Sequence, residues 1–267
     1  MTAILLDRLP VMPFVDTRLP GLAPLDDADW ITDQPDGPAQ LAYRAELIDT
    51  RRDEVIAMLP QARTACDELY RDVTGKEAGE DPLGDLGRRV TEDFCILDRE
   101  EGAEEYRLVA AVLCFPSHWV LAEKMGQPLT EIHGPVPDYD GDLARRVNRV
   151  FEAIRPAPML VRHNWMLHSS PELFAPLGQA AAGGEVYLRS ERQTFRRLKG
   201  TGAVVFGIRT SMMPVTGLEP EEARALLAAM EAQSPKTVAY KGGAAFYAWA
   251  RAVVVGLAGE HGPEQGA

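Results

Sequence analysis

The sequence is poor in cysteine, poor in histidine and short of positive charge, and each shortage removes a class of function. Its three cysteines, Cys66, Cys95 and Cys114, lie far apart. An odd, scattered set does not build the disulfide framework of a secreted domain. No two of them form a CxxC pair, which excludes zinc ribbons, cysteine-held iron–sulfur clusters and c-type haem attachment. The cysteines therefore read as small buried apolar residues. Lysine and arginine number 28 against 40 aspartates and glutamates, a net charge of −12. Non-specific nucleic-acid binding needs the opposite balance, because phosphates are neutralised by basic surfaces. Also missing are the GxSxG elbow, the P-loop, HExxH and a GxGxxG after a strand.

Long hydrophobic runs are scarce as well. The first 14 residues contain Asp7 and Arg8 and lack the apolar stretch of a signal peptide. Residues 238–258 alone raise the question of a membrane span, but Lys241 and Arg251 interrupt them and charges near mid-membrane are costly. This stretch reads as a buried or interface helix, and the expected location is the cytoplasm. At 267 residues with 46% hydrophobic content, the chain can bury a sizeable core without disulfides.

Residues 1–38 carry Pro10, Pro13, Pro20, Pro24, Pro35 and Pro38 and should form an extended arm over the surface. Residues 41–59 read as a helix closed by Pro60, residues 62–73 as a second helix, and residues 75–87 as a Gly- and Asp-rich loop. The period then changes. Residues 94–97 and 106–115 form a predicted hairpin around an acidic loop. Residues 142–154 form an amphipathic helix, with Leu143, Val147, Val150, Phe151 and Ile154 on one face and Arg145, Arg146 and Arg149 on the other. Residues 164–168 and 203–213 read as strands, and residues 187–198 are ambiguous between strand and helix. Residues 219–233 and the apolar segment end the chain as helices. The predicted fold is α+β: an antiparallel sheet of about five strands, helices on one side, and a polar tail at 259–267.

His163 and His168, five apart on a predicted strand, point to opposite faces. His118 follows Pro116-Ser117 at a strand end, and His261 stands in the tail. His133 lies in Glu131-Ile132-His133-Gly134-Pro135-Val136-Pro137, where glycine and prolines stiffen the backbone. A rigid irregular segment is a good mount for a ligand, although a histidine that only bonds the backbone is the commoner case.

Five segments, taken together and in order, carry more information: Glu92-Asp93-Phe94-Cys95-Ile96-Leu97; Cys114-Phe115-Pro116-Ser117-His118-Trp119; Lys124-Met125-Gly126 continuing to Ile132-His133-Gly134-Pro135-Val136-Pro137; Arg162-His163-Asn164-Trp165; and Arg189-Ser190-Glu191-Arg192-Gln193-Thr194-Phe195-Arg196-Arg197-Leu198. With the following strand Val205-Phe206-Gly207-Ile208-Arg209-Thr210, they resemble the haem-dependent oxidative N-demethylase family over roughly residues 40–215.

The resemblance implies a single PAS-like domain over residues 39–258 that binds haem b and uses dioxygen to remove a methyl group from a small secondary amine. Electrons would come in trans from a reductase carrying flavin and an iron–sulfur cluster, since this chain has motifs for neither. It points to His133 as the iron ligand, Arg192 and Lys124 as partners of the haem propionates, and Glu191 as receiver of a cationic amine, with an ordinary surface ion pair as the competing role for each of these last three. Trp119 and Trp165 are candidate apolar walls for the flat cofactor, with ordinary core packing as the competing role. A haem-based sensor or carrier is the alternative, disfavoured because no output domain follows. A haem-free structural subunit is a third. Neither membrane nor nucleic acid is an expected partner, and assembly into an oligomer is allowed for.

Overall fold

The computed structural model describes residues 3–14, 21–133 and 141–259, without the side chains of His133 and residues 141–146. In chain order, β1 (Ala23–Leu25) precedes α1 (Gly37–Thr50), α2 (Arg52–Val55) and β2 (Ile56–Met58). Helices α3 (Arg63–Thr74) and α4 (Pro82–Gly87) lead into the hairpin β3 (Asp93–Asp98) and β4 (Arg107–Val112). Three inserted helices follow: α5 (Leu121–Lys124), α6 (Leu129–His133) and α7 (Gly141–Ala153). The long strands β5 (Met159–His168), β6 (Tyr187–Arg197) and β7 (Val204–Pro214) come next, then α8 (Pro220–Glu231), α9 (Pro235–Tyr240) and α10 (Gly243–Leu257).

All pairings are antiparallel, in the order β1-β5-β6-β7-β3-β4-β2. The α+β class holds, and each predicted strand is present, with residues 187–198 resolved as strand. The sheet has seven strands, however, because two short segments extend its edges. Residues 23–25 of the proline-rich arm pair with β5, and residues 56–58, expected at the end of a helix, pair with β4. In both cases an open sheet edge, with its unpaired N–H and C=O groups, outweighs local preference. The loop expected at 75–87 contains α4. Asp81 caps that helix by accepting from the Gly84 amide, and Pro82 supplies the fixed φ of a first helical residue.

Helices cover both faces of the sheet, not one side. On one face Trp165, Leu167, Leu188 and Met213 pack with α8 and α10, while Phe94, Ile96 and Val205 pack with the N-terminal helices. On the other face Cys95, Leu97 and Phe195 pack with the inserted helices through Leu121, Ile132, Phe151 and Ile154. The C-terminal apolar segment is two helices. Gly242 and Gly243, both at positive φ, break it, and no helix among the described residues is long and apolar enough to cross a membrane. Helix α8 begins with a capping box between Glu219 and Glu222.

One buried ion pair locks the N-terminal helices to the sheet. Arg44 and Asp93 are within 2.6 Å and almost wholly buried. The same carboxylate accepts from the Cys114 and Phe115 amides, while the guanidinium also reaches the Gly87 and Glu92 carbonyls. All three cysteines are buried, and burial pushes the Cys66 and Cys114 thiols up to about 12, so none is a ready thiolate.

Candidate functional site

The pleat decides what β5, β6 and β7 can bring together. Successive side chains alternate between faces, so the register Asn164↔Glu191↔Thr210 defines one face and His163↔Arg192↔Arg209 the other. Glu191 is the sole carboxylate in the three strands.

On the Glu191 face the polar side chains are joined in a chain. Arg162 Nε donates to Gln193 Oε1 at 2.7 Å, and Gln193 Nε2 donates to Glu191 Oε2 at 3.0 Å. Glu191 Oε1 accepts from Arg189 Nε at 3.2 Å, and Asn164 approaches Oε2 at 3.5 Å. Arg189, at 0% exposure, also donates to the Phe115 and Leu173 carbonyls and to Thr210 Oγ1. A buried guanidinium needs such saturation, because an unpaired charge in low dielectric is expensive. The strip is bounded at one end by the α7 cluster, where Phe195 and Phe206 stack at 4.9 Å, and at the other by the turn at Ser117 and His118.

That turn is strained. His118 is the only non-glycine residue at positive φ among the described residues, at 55°. Its imidazole packs against Gly178, where an added Cβ would lie 2.0 Å from Nε2, so a side chain at 178 is excluded. Ser117 Oγ bridges His118 Nδ1 at 3.1 Å and His168 Nε2 at 3.0 Å. Burial, reinforced by Arg189, pushes both imidazoles toward the neutral form, His168 down to about 2. At the free edge of β5, Lys241 donates to the Trp165 carbonyl at 3.0 Å and lies over its ring. Burial pushes this ammonium down to about 8, with Glu191 opposing the shift.

The residues singled out in the sequence do not all meet here. Arg192 faces the opposite way, donating to the Trp30 and Asp29 carbonyls. Trp165 is on that far face too, buried edge-to-face against Phe14 at 6.2 Å. Trp119 packs against the cluster that contains Phe195 and so borders the Glu191 face. Lys124 Nζ donates to the Ile132 carbonyl at 3.3 Å, which ties α5 to the helix end that bears His133. The His133 imidazole, and residues 134–137 after it, lie outside the described residues. Arg162, Asn164 and Arg189 were passed over as site residues in the sequence. Part of the signal was available: if residues 187–198 form a strand, Arg189 and Glu191, two apart, share a face, but the register that sets Arg162 and Asn164 opposite Gln193 and Glu191 came only with the fold.

Residues 72–253 match the sequence profile of the family described as haem-dependent oxidative N-demethylase, alpha subunit-like. The chain belongs to this family. The N-demethylase family name implies dependence on haem, which makes three demands of the protein: cations for the carboxylates, flat apolar walls, and an axial ligand. The Glu191 face meets the first with Arg162 and the second with Phe195, Phe206 and the adjacent Trp119. Two small cavities among the described residues, about 90 and 40 Å³, are lined by other residues and are far below the several hundred Å³ of a cofactor pocket. On the Glu191 face the described residues are mostly buried or half-buried, with Arg162 the exposed side chain among them. No group of three or more metal-ligating side chains occurs among the described residues; haem needs only one.

Proposed function

We propose that this chain is the haem-carrying catalytic subunit of an oxidative N-demethylase acting on a small secondary methylamine of the dimethylamine class. The observation that carries the reading is the family match over residues 72–253, which spans every segment of the Glu191 face. The order β5-β6-β7-β3-β4 of the five main strands, with helices inserted after the first hairpin, supports a PAS-like arrangement extended at both edges.

The overall reaction converts a dialkylamine, dioxygen, two electrons and two protons into a primary amine, formaldehyde and water. Bound haem b would supply oxygen activation and insertion into the methyl C–H bond, after which the carbinolamine collapses without further redox chemistry. The protein's share is placement. Glu191 supplies the negative charge for an ammonium, and its carboxylate retains acceptor capacity beyond its bonds to Arg189 and Gln193. Asn164 and Gln193 hold that carboxylate in place. His133 is proposed as the iron ligand, with Lys124 steadying its helix end. Arg192 and Trp165 act structurally on the far face in this reading.

The two electrons are proposed to come from a separate flavin and iron–sulfur reductase. Purified chain should take up one equivalent of haem and show a Soret band, and should release formaldehyde from dimethylamine only when such a reductase is added. A chain that takes up no haem would remove this reading. Formaldehyde release with NADPH alone, free of contaminating reductase, would remove the partner.

A further inference from the structure

Strands β5, β6 and β7 carry six arginines: Arg162, Arg189, Arg192, Arg196, Arg197 and Arg209. Five have their terminal nitrogens engaged by the protein. Arg189 is saturated as described. Arg192 holds two backbone carbonyls. Arg196 lies between Asp27 and Asp72 and over the Trp30 ring. Arg197 reaches the Gly202 and Phe151 carbonyls and the Tyr106 hydroxyl. Arg209 pairs with Asp36 at 2.5 Å and with Gln40 at 2.8 Å.

Arg162 is the exception. Its Nε is anchored on Gln193, and neither Nη makes a hydrogen bond among the described residues. Its side chain is exposed, and it stands on the face that holds Glu191. The anchor matters: Gln193 is 5% exposed and is itself fixed by Glu191, so the fork is oriented before any ligand arrives. The Phe195 ring beneath the guanidinium, 5.9 Å away, limits its motion further. A planar fork with two free N–H edges, held by its third nitrogen, is suited to a carboxylate.

Resting on the haem reading above, we propose that Arg162 binds a carboxylate of the haem, in the role first expected of Arg192 and Lys124. Those two side chains are already engaged with backbone carbonyls, whereas exposed Arg162 has both Nη groups without a hydrogen bond among the described residues.

The test compares haem with haem dimethyl ester, whose carboxylates are blocked, by Soret titration of the full chain. Wild type should prefer haem by about tenfold or more, the scale of one charge-assisted bond. Arg162→Gln should lose most of that preference by weakening haem alone, and Arg192→Gln should keep it. Equal binding of haem and ester by wild type overturns the assignment, and this arm needs no variant to fold. Full preference retained in Arg162→Gln also overturns it, while leaving the haem reading intact. Failure of wild type to take up haem removes both.

Discussion

Glu191 and Arg192 are neighbours in the chain, yet they lie on opposite faces of the sheet: Glu191 pairs with buried Arg189, and Arg192 with the carbonyls of Asp29 and Trp30. A sequence segment that reads as one cluster of charges is thus two separate devices. One closes the arm onto the sheet. The other orders a polar strip on the face where the haem is proposed to bind.

This division predicts how the histidines differ. His133→Ala should lose haem or change its coordination, with added imidazole restoring the spectrum in part. His163→Ala should leave the Soret band unchanged, because His163 shares the far face with Arg192. His168→Ala should leave it unchanged too, because that ring is fully buried on Ser117. Spectra of the reconstituted single variants decide this, and an unaltered His133→Ala spectrum would show that another side chain binds the iron.

Glu191→Gln should preserve haem uptake yet abolish the spectral shift caused by dimethylammonium, raising the KM for amine by about tenfold or more. It should also lower the unfolding midpoint, since Arg189 keeps its charge but loses its carboxylate in a buried setting. Amine titration followed by thermal denaturation separates the two effects. An unchanged amine response would rule out Glu191 as the ammonium site.

His168 predicts an acid-sensitive fold. Its pKa in the folded protein is lowered, to about 2, by burial and by Arg189. Between that value and the unfolded one, about 6.5, only the unfolded chain takes up the proton. The stability it contributes is therefore complete above about pH 6.5 and declines as the pH falls toward 2. Replacing it by glutamine should flatten the dependence of unfolding free energy on pH between about 6 and 4, by up to about 1.4 kcal/mol per pH unit. Urea melts at several pH values measure the slope; parallel curves for wild type and His168→Gln would contradict the prediction.

Breaking the Arg44–Asp93 pair should be severe. Arg44→Met leaves the Asp93 carboxylate buried with only the Cys114 and Phe115 amides, and should cost about 3–5 kcal/mol. The double variant Arg44→Met/Asp93→Leu should recover part of the loss, because no uncompensated charge remains. Denaturant unfolding of both tests this. A single variant as stable as wild type would mean the pair does not lock α1 to the sheet.

By itself the sequence determined the elements whose signals are local. The β-branched residues within 204–208, the amphipathic period around residues 147–154 and Pro220 with the acids of the first turn after Glu219 each specify strand, helix or helix start within a few residues. Residues 187–198 were open between strand and helix in the sequence, and the alternation that separates Glu191 from Arg192 followed only once they paired between β5 and β7. The tertiary structure alone decided what fills each face and each edge. Residues 23–25 and 56–58 became strands because β5 and β4 offered open edges, far away in sequence. Asp93 became a buried partner of Arg44, 49 residues away, and five strand arginines had their terminal nitrogens engaged while Arg162, among the described residues, is held through Nε alone. Such choices depend on which groups compete for the same buried donors and acceptors, and that competition exists only once the chain has closed on itself.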